Sequence, residues 1–297
     1  MAKKGEIKII IGACLFGLIP VFVRYGDELS IQSRILGRAV FATLFAWFYL
    51  TYKKEKIGFK IQEIYTTTFV HFFVWTLFLT FAILFYFLSI TLGSVSLSGV
   101  LLGVHPVFVV FFVFIFFKER ISLKTWIACL IAMLGITLIS IFSSTESSGS
   151  IGGSLYALAS SFFLGLNFTY YLKYLKGFST GKLVFYQNIL QIPILVPFAL
   201  FDPGVITLKG IISIICLGVF CTGIAYFLIY SGSQTVKKQN IGILQIIENI
   251  IPVIIGVAFY LEKINLESVV GILLILASVV MISFDTQKEG SIPKVGD

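Results

Sequence analysis

The chain has 297 residues, of which 58% are hydrophobic, 16% aromatic and only 12% charged. Water-soluble domains carry about 25% charged residues, so this composition excludes a soluble fold, and its hydrophobicity equally excludes a disordered chain. The 22 Lys and Arg outnumber the 14 Asp and Glu, for a net charge of +8, but they lie in short clusters between apolar runs rather than in one patch, which points to membrane loops and not to nucleic acid.

One span needs about 20 mostly apolar residues, so ten would take about 200 and leave tails and short connections. In chain order, the runs predict ten helices over residues 8–24, 35–52, 68–92, 95–117, 123–142, 153–172, 183–201, 209–232, 240–260 and 266–284. They are too long, and too poor in alternation, to be strands. The predicted fold is therefore all-α and integral to the membrane. Met1-Ala2-Lys3-Lys4 looks like the basic end of a signal peptide, yet no small-x-small cleavage site follows and nine further apolar runs do; it is read as the start of a retained first span. The junctions carry turn or charge signals, among them Gly26-Asp27, Lys118-Glu119-Arg120, Asp202-Pro203-Gly204 and Lys237-Lys238. Pro20, Pro106, Pro193, Pro197 and Pro252 are expected to kink their helices. Cys14, Cys129, Cys216 and Cys221 sit inside apolar runs without metal-ligand spacing and read as small core residues.

With the N-terminus in the cytoplasm, five basic residues (Arg24, Arg34, Arg38, Lys209 and Lys263) fall on the far face, and the remaining 17 on the near face. This asymmetry predicts that both termini are cytoplasmic, in the cell membrane. A 143-residue shift lays Phe116-Phe117-Lys118-Glu119-Arg120-Ile121 over Phe259-Tyr260-Leu261-Glu262-Lys263-Ile264, both reading F-x-x-E-R/K-I at the end of a long apolar run, and lays Gly99 over Gly242. The chain thus divides into a first five-span repeat (1–145), a second (150–285) and a cytoplasmic tail (286–297). Because each repeat has an odd number of spans, the second enters the membrane inverted, a common transporter design whose substrate sites lie near the midplane between the halves.

These features resemble the drug/metabolite transporter superfamily, specifically its EamA-type permeases. The residues that carry the likeness are Gly12 to Gly17, Arg38, the stretch from Pro106 to Glu119, and Glu248 and Glu262. The family often has Glu-Pro where this chain has Glu248-Asn249, its proline falling later at Pro252. The resemblance implies alternating-access transport of small metabolites through a cavity lined mainly by spans 1, 3, 4, 6, 8 and 9.

The sharpest chemical feature is Glu248, placed within the ninth run about 12 Å from its start. A charge there costs on the order of 2.5–3.5 kcal/mol, so it should face a wet cavity, pair, or carry a proton; the bland alternative is a protonated carboxyl bonded to a neighbouring helix. His105 lies under Glu248 in the 143-residue shift. The two could meet near the axis and relay a proton, or His105 could simply bond a backbone carbonyl. Helical spacing puts Gln245 on one face with Glu248 and Asn249, as a cavity wall or a helix–helix contact, and Asn167 in the sixth run has the same two readings. Tyr226 and Tyr230, one turn apart, either face a ligand or pack; Tyr86 and Trp75 are weaker candidates. Aromatic walls beside a carboxylate would suit an amine through cation–π attraction. His71 is read as interfacial, Arg38 as a structural or snorkelling residue at the far face, and Glu119 and Glu262 as partners of helix-end ion pairs with Arg120 and Lys263.

No phosphate-binding loop, nucleophile elbow or metal motif is present in the sequence, so no enzyme and no cofactor is expected. The reading is a secondary transporter or facilitator of a small polar metabolite, with an amino acid or amine favoured and proton coupling through Glu248 or His105. The competing readings are a lipid-modifying membrane enzyme and a small-solute channel. The expected partners are a small-molecule substrate and the lipid bilayer, with homo-oligomerisation left open.

Overall fold

Apolar runs in lipid must satisfy their backbone hydrogen bonds internally, which makes helix the local outcome. The computed structural model describes residues 2–55, 67–118, 122–142, 151–175, 177–233, 247–262 and 265–285. Seven stretches of helix are long and apolar enough to cross a membrane, and three shorter apolar helices complete ten spans. Span 1 comprises Ala2–Gly17 and Ile19–Tyr25, span 2 Ile31–Tyr52, span 3 Thr67–Leu92, and span 4 Val95–Leu102 and His105–Phe117. Span 5 is Leu123–Phe142, span 6 Ile151–Tyr174, and span 7 Thr180–Ile189 with Gln191–Phe201. Span 8 joins Leu208–Ile215, a π-helical stretch Cys216–Ile224 and Ala225–Ser233; the described parts of spans 9 and 10 are Ile247–Tyr260 and Leu266–Asp285.

Several helices begin earlier than hydropathy alone indicates, because polar first turns belong to them. Span 2 opens at Ile31, not 35, where the Ser30 hydroxyl accepts from the Ser33 N–H at 3.1 Å and caps the helix. The breaks also fall differently from the predicted kinks. The helix is interrupted at Leu18, at Gly103-Val104 and at Leu190, two or three residues before Pro20, Pro106 and Pro193, so each proline sits in the first turn of the helix that follows. There its missing N–H costs nothing. Pro197 and Pro252 remain inside continuous helices.

The packing reproduces the repeat. Span 1 lies against spans 8 and 9, and span 6, its equivalent, lies against spans 3 and 4. Spans 5 and 10 pair with each other, as do 4 with 9 and 2 with 7. Exchanging the halves leaves this set of neighbours unchanged, as two inverted five-span repeats require. Small residues permit the close crossings, as is usual between membrane helices: Gly12 against Ala225 and Ile229, Gly135 against Gly271, and Gly93 directly against Gly153.

Candidate functional site

Two helix breaks meet at one level of the molecule. Gly17, just before the break in span 1, packs on Ile251; Gly99 and Gly103, flanking the end of the first half of span 4, pack on Pro252 and Asn249. The two broken helices therefore both face the start of the described part of span 9, where Glu248 and Asn249 lie. A break frees carbonyls that lipid cannot satisfy. Here the Ser161 hydroxyl of span 6 is shared between the Leu101 carbonyl (2.5 Å) and that of Leu102 (3.1 Å). His105, first residue after the break, places Nδ1 3.2 Å from the Leu102 carbonyl.

Glu248 is half-buried, and among the described residues no hydrogen bond or ion pair holds its carboxylate. Tyr86 of span 3 and Tyr226 of span 8 lie within electrostatic reach of it. No described bond joins His105 to Glu248. Asn249 is buried against the span 4 break. Gln245 lies outside the described residues.

Three of the four aromatic candidates, Tyr226, Tyr230 and Trp75, belong to a connected wall. Tyr226 stacks on Tyr230 (centroids 5.8 Å apart), Tyr230 meets Tyr171 at 6.2 Å, and Tyr171 stacks on Trp75 at 6.0 Å. Phe16 of span 1 contacts Tyr226 edge-on at 4.8 Å. Trp75 and Asn167 are tied to each other: the indole N–H donates to the Asn167 carbonyl (3.1 Å) and the Asn167 amide to the Trp75 carbonyl (2.8 Å). Both are buried, and the reciprocal pair fastens span 3 to span 6. His71 bonds the Tyr170 hydroxyl at 2.7 Å and stacks on Tyr174. Tyr171 and Phe16 were not singled out by the sequence, since one aromatic among 31 Phe and 13 Tyr carries no mark of its own.

Of the two sequence readings of Arg38, the structure removes the snorkelling one. It does not snorkel to the far face: it is buried, 4% exposed. The early start of span 2 moves it two turns into the helix. Its guanidinium donates through Nη2 to Gln191 Oε1 (2.9 Å) and through Nη1 to Thr222 Oγ1 (3.0 Å). Gln191 opens the helix after the span 7 break, and Thr222 belongs to the π-helical stretch of span 8, where its hydroxyl donates to the Leu217 carbonyl at 2.8 Å. Tyr226 is within electrostatic reach of Arg38 as well as Glu248.

Glu262 has a further role. It caps another helix, which the sequence reading did not foresee; Lys263, its expected partner, lies outside the described residues, as do Glu119 and Arg120. The Glu262 carboxylate accepts from the N–H groups of Val95 (2.7 Å) and Ser96 (2.9 Å) and from the hydroxyls of Ser94 and Ser96 (each 2.7 Å). A carboxylate is well placed there, against the positive end of span 4. Arg24, at the end of span 1, lies 3.5 Å from Glu262, donates to the Gly93 carbonyl at 2.9 Å and covers the Tyr260 ring at 4.5 Å. Spans 1, 3, 4 and 9 are thus latched together at the far face. At the other face Lys173, ending span 6, approaches the Phe116 carbonyl at 3.5 Å and the Phe117 ring at 5.9 Å; Phe117 is the repeat equivalent of Tyr260.

The four cysteines are free, and among the described residues no three His, Cys, Asp or Glu side chains gather in a way that could hold a metal.

The model of the EamA-like transporter family matches residues 3–141 and again 151–284. An uncharacterized transporter, YxxF, of Bacillus subtilis (strain 168) is 26% identical over 98% of this chain and 93% of its own length. An uncharacterized transporter of Archaeoglobus fulgidus is 27% identical over 94% of this chain and 96% of its own. A solved crystal structure at 13% identity shares the fold, with a TM-score of 0.66 over 95% of this chain and 98% of that one. Ten spans in two interleaved halves, with broken helices meeting between them, and a family match on each half lead to one conclusion: the chain is a multi-pass membrane transporter that belongs to the EamA-like transporter family.

Proposed function

We propose that this transporter moves a small polar metabolite bearing a cationic amine, an amino acid or an amine, across the cell membrane by alternating access. Glu248 receives the ammonium group, and Tyr86, Tyr226, Tyr230 and Asn249 line the remainder of the site. The observation that carries this reading is the Glu248 carboxylate, half-buried at the level where spans 1 and 4 are broken and unbonded among the described residues. An intramembrane carboxylate without a protein partner is maintained against a cost of about 2.5–3.5 kcal/mol, which a cationic ligand or a proton would offset. Glu248 and His105 are also the groups placed to carry a proton with the substrate. Trp75 and Asn167, bonded to one another, hold spans 3 and 6 together at the end of the wall.

The test is counterflow in proteoliposomes with labelled amino acids, amines, nucleosides and sugar phosphates, with and without an imposed pH gradient. Exchange of amine-bearing compounds, accelerated by the gradient, is expected. Exchange confined to anionic or neutral compounds would refute the cation site. The basic-residue asymmetry supports cytoplasmic termini, so a tag at either end should be protected from protease in right-side-out vesicles; cleavage of one tag alone would overturn the orientation.

A further inference from the structure

Two arginines of span 2 are buried, and their surroundings differ. Arg34, nearer the far face, donates to the Val23 carbonyl at 2.5 Å and has the acidic Asp27 within electrostatic reach. Arg38, one turn further in, is answered by no carboxylate among the described residues. Its two partners are neutral oxygens, on Gln191 and Thr222. Two buried donors are left over beside it, Arg38 Nε and Gln191 Nε2, which have no hydrogen-bond partner among the described residues; Arg34 Nε shares that state but has Asp27 nearby.

A buried cation surrounded by surplus donors calls for an anion, because an unpaired charge away from water costs several kcal/mol. The backbone around it is irregular, too. Gln191 follows the span 7 break and Thr222 lies in the π-helical stretch. Such departures from α-helix within a membrane are found where the chain surrounds a cavity or a ligand, and π-helical segments frequently mark functional sites. The breaks in spans 1 and 4 meet at Glu248; the break in span 7 and the π-helical stretch of span 8 meet at Arg38. Tyr226 is within electrostatic reach of both charges.

We propose that Arg38, with Gln191 and Thr222, is the anion end of the substrate site, so that the cargo is a zwitterion: its carboxylate faces Arg38 and its ammonium faces Glu248. The cation end rests on the function proposed above; the anion end rests on Arg38 and its neighbours.

The experiment is competition in counterflow by the full-length protein in proteoliposomes. The probes are phenylalanine and leucine, the matching amines without the carboxylate (phenethylamine and isoamylamine), and the N-acetyl forms without the ammonium. A hydrogen-bonded charge is typically worth about ten- to hundredfold in affinity, so the wild type should prefer each zwitterion to its amine by that factor. Arg38→Gln should erase the preference, leaving amine and zwitterion equal. Arg38→Lys should restore part of it, since it keeps the charge and loses the planar fork. Glu248→Gln should instead lower exchange of zwitterion and amine alike to the level of the N-acetyl forms. If Arg38→Gln does not give a monodisperse protein, the wild-type competition and Gln191→Leu, which should weaken the zwitterion preference, decide the matter. The proposal is overturned if amines compete as well as zwitterions on the wild type, if no carboxylate-bearing probe is exchanged, or if the Arg38 and Gln191 variants keep the wild-type preference. Failure of the Glu248 arm alone removes the cation end and leaves the anion end standing.

Discussion

Glu248→Gln should abolish exchange of an amine-bearing substrate, by about 100-fold or more, in a protein that folds as well as the wild type. The charge is what the substrate would use: a hydrogen bond to a charged group contributes about 1.5–3 kcal/mol, and the upper figure is more than a hundredfold in affinity. The fold does not use it, because no described hydrogen bond or ion pair to the carboxylate would be lost. A neutral amide of the same size is also cheaper to bury than an ionised carboxylate. Counterflow rates measured beside thermal unfolding in detergent separate the two effects. Normal exchange with normal pH dependence in the variant would reduce Glu248 to a structural residue.

Glu262→Ala should have the opposite profile, with stability lost first and transport only as a consequence. The substitution leaves two backbone N–H groups and two serine hydroxyls at the start of span 4 without their acceptor, and Arg24 without its carboxylate. Loss of a cap alone costs about 0.5–2 kcal/mol, and a donor left buried and unsatisfied adds about 1–3 kcal/mol. Arg24→Ala should cost less, because its side chain is 29% exposed and solvent screens the pair. Thermal unfolding of the two variants is the measurement. A Glu262→Ala protein as stable as the wild type would mean that the cap is replaced by solvent.

The readable part of this protein was whatever depends on composition and period. The spans, the charge asymmetry and the 143-residue repeat all follow from the order of apolar and basic residues, and Glu248 announces itself as a carboxylate within an apolar run. Asn249 follows from the same helix face. What could not be read depends on which helix lies beside which. Nothing near Glu262 in sequence marks Val95 and Ser96 as its partners, 167 and 166 positions away. Arg38 looked peripheral because hydropathy discounts the polar turn at Ile31-Gln32-Ser33-Arg34, which the Ser30 cap makes helical. The prolines marked three of the breaks to within two or three residues. The π-helical stretch has no proline and is built on the Thr222–Leu217 bond, which no pattern of residue types signals.

The pairing of spans bears on how the molecule comes to exist at all. Its most extensive helix contacts, 5 with 10, 3 with 6, 1 with 8, 2 with 7, 2 with 8 and 4 with 6, all cross from one half to the other. The first five spans can enter the bilayer as they leave the ribosome, but they have little to settle against until their counterparts arrive. Consolidation therefore waits for the last span. A chain severed between the two halves should accordingly still assemble into one protein, provided both pieces reach the same bilayer.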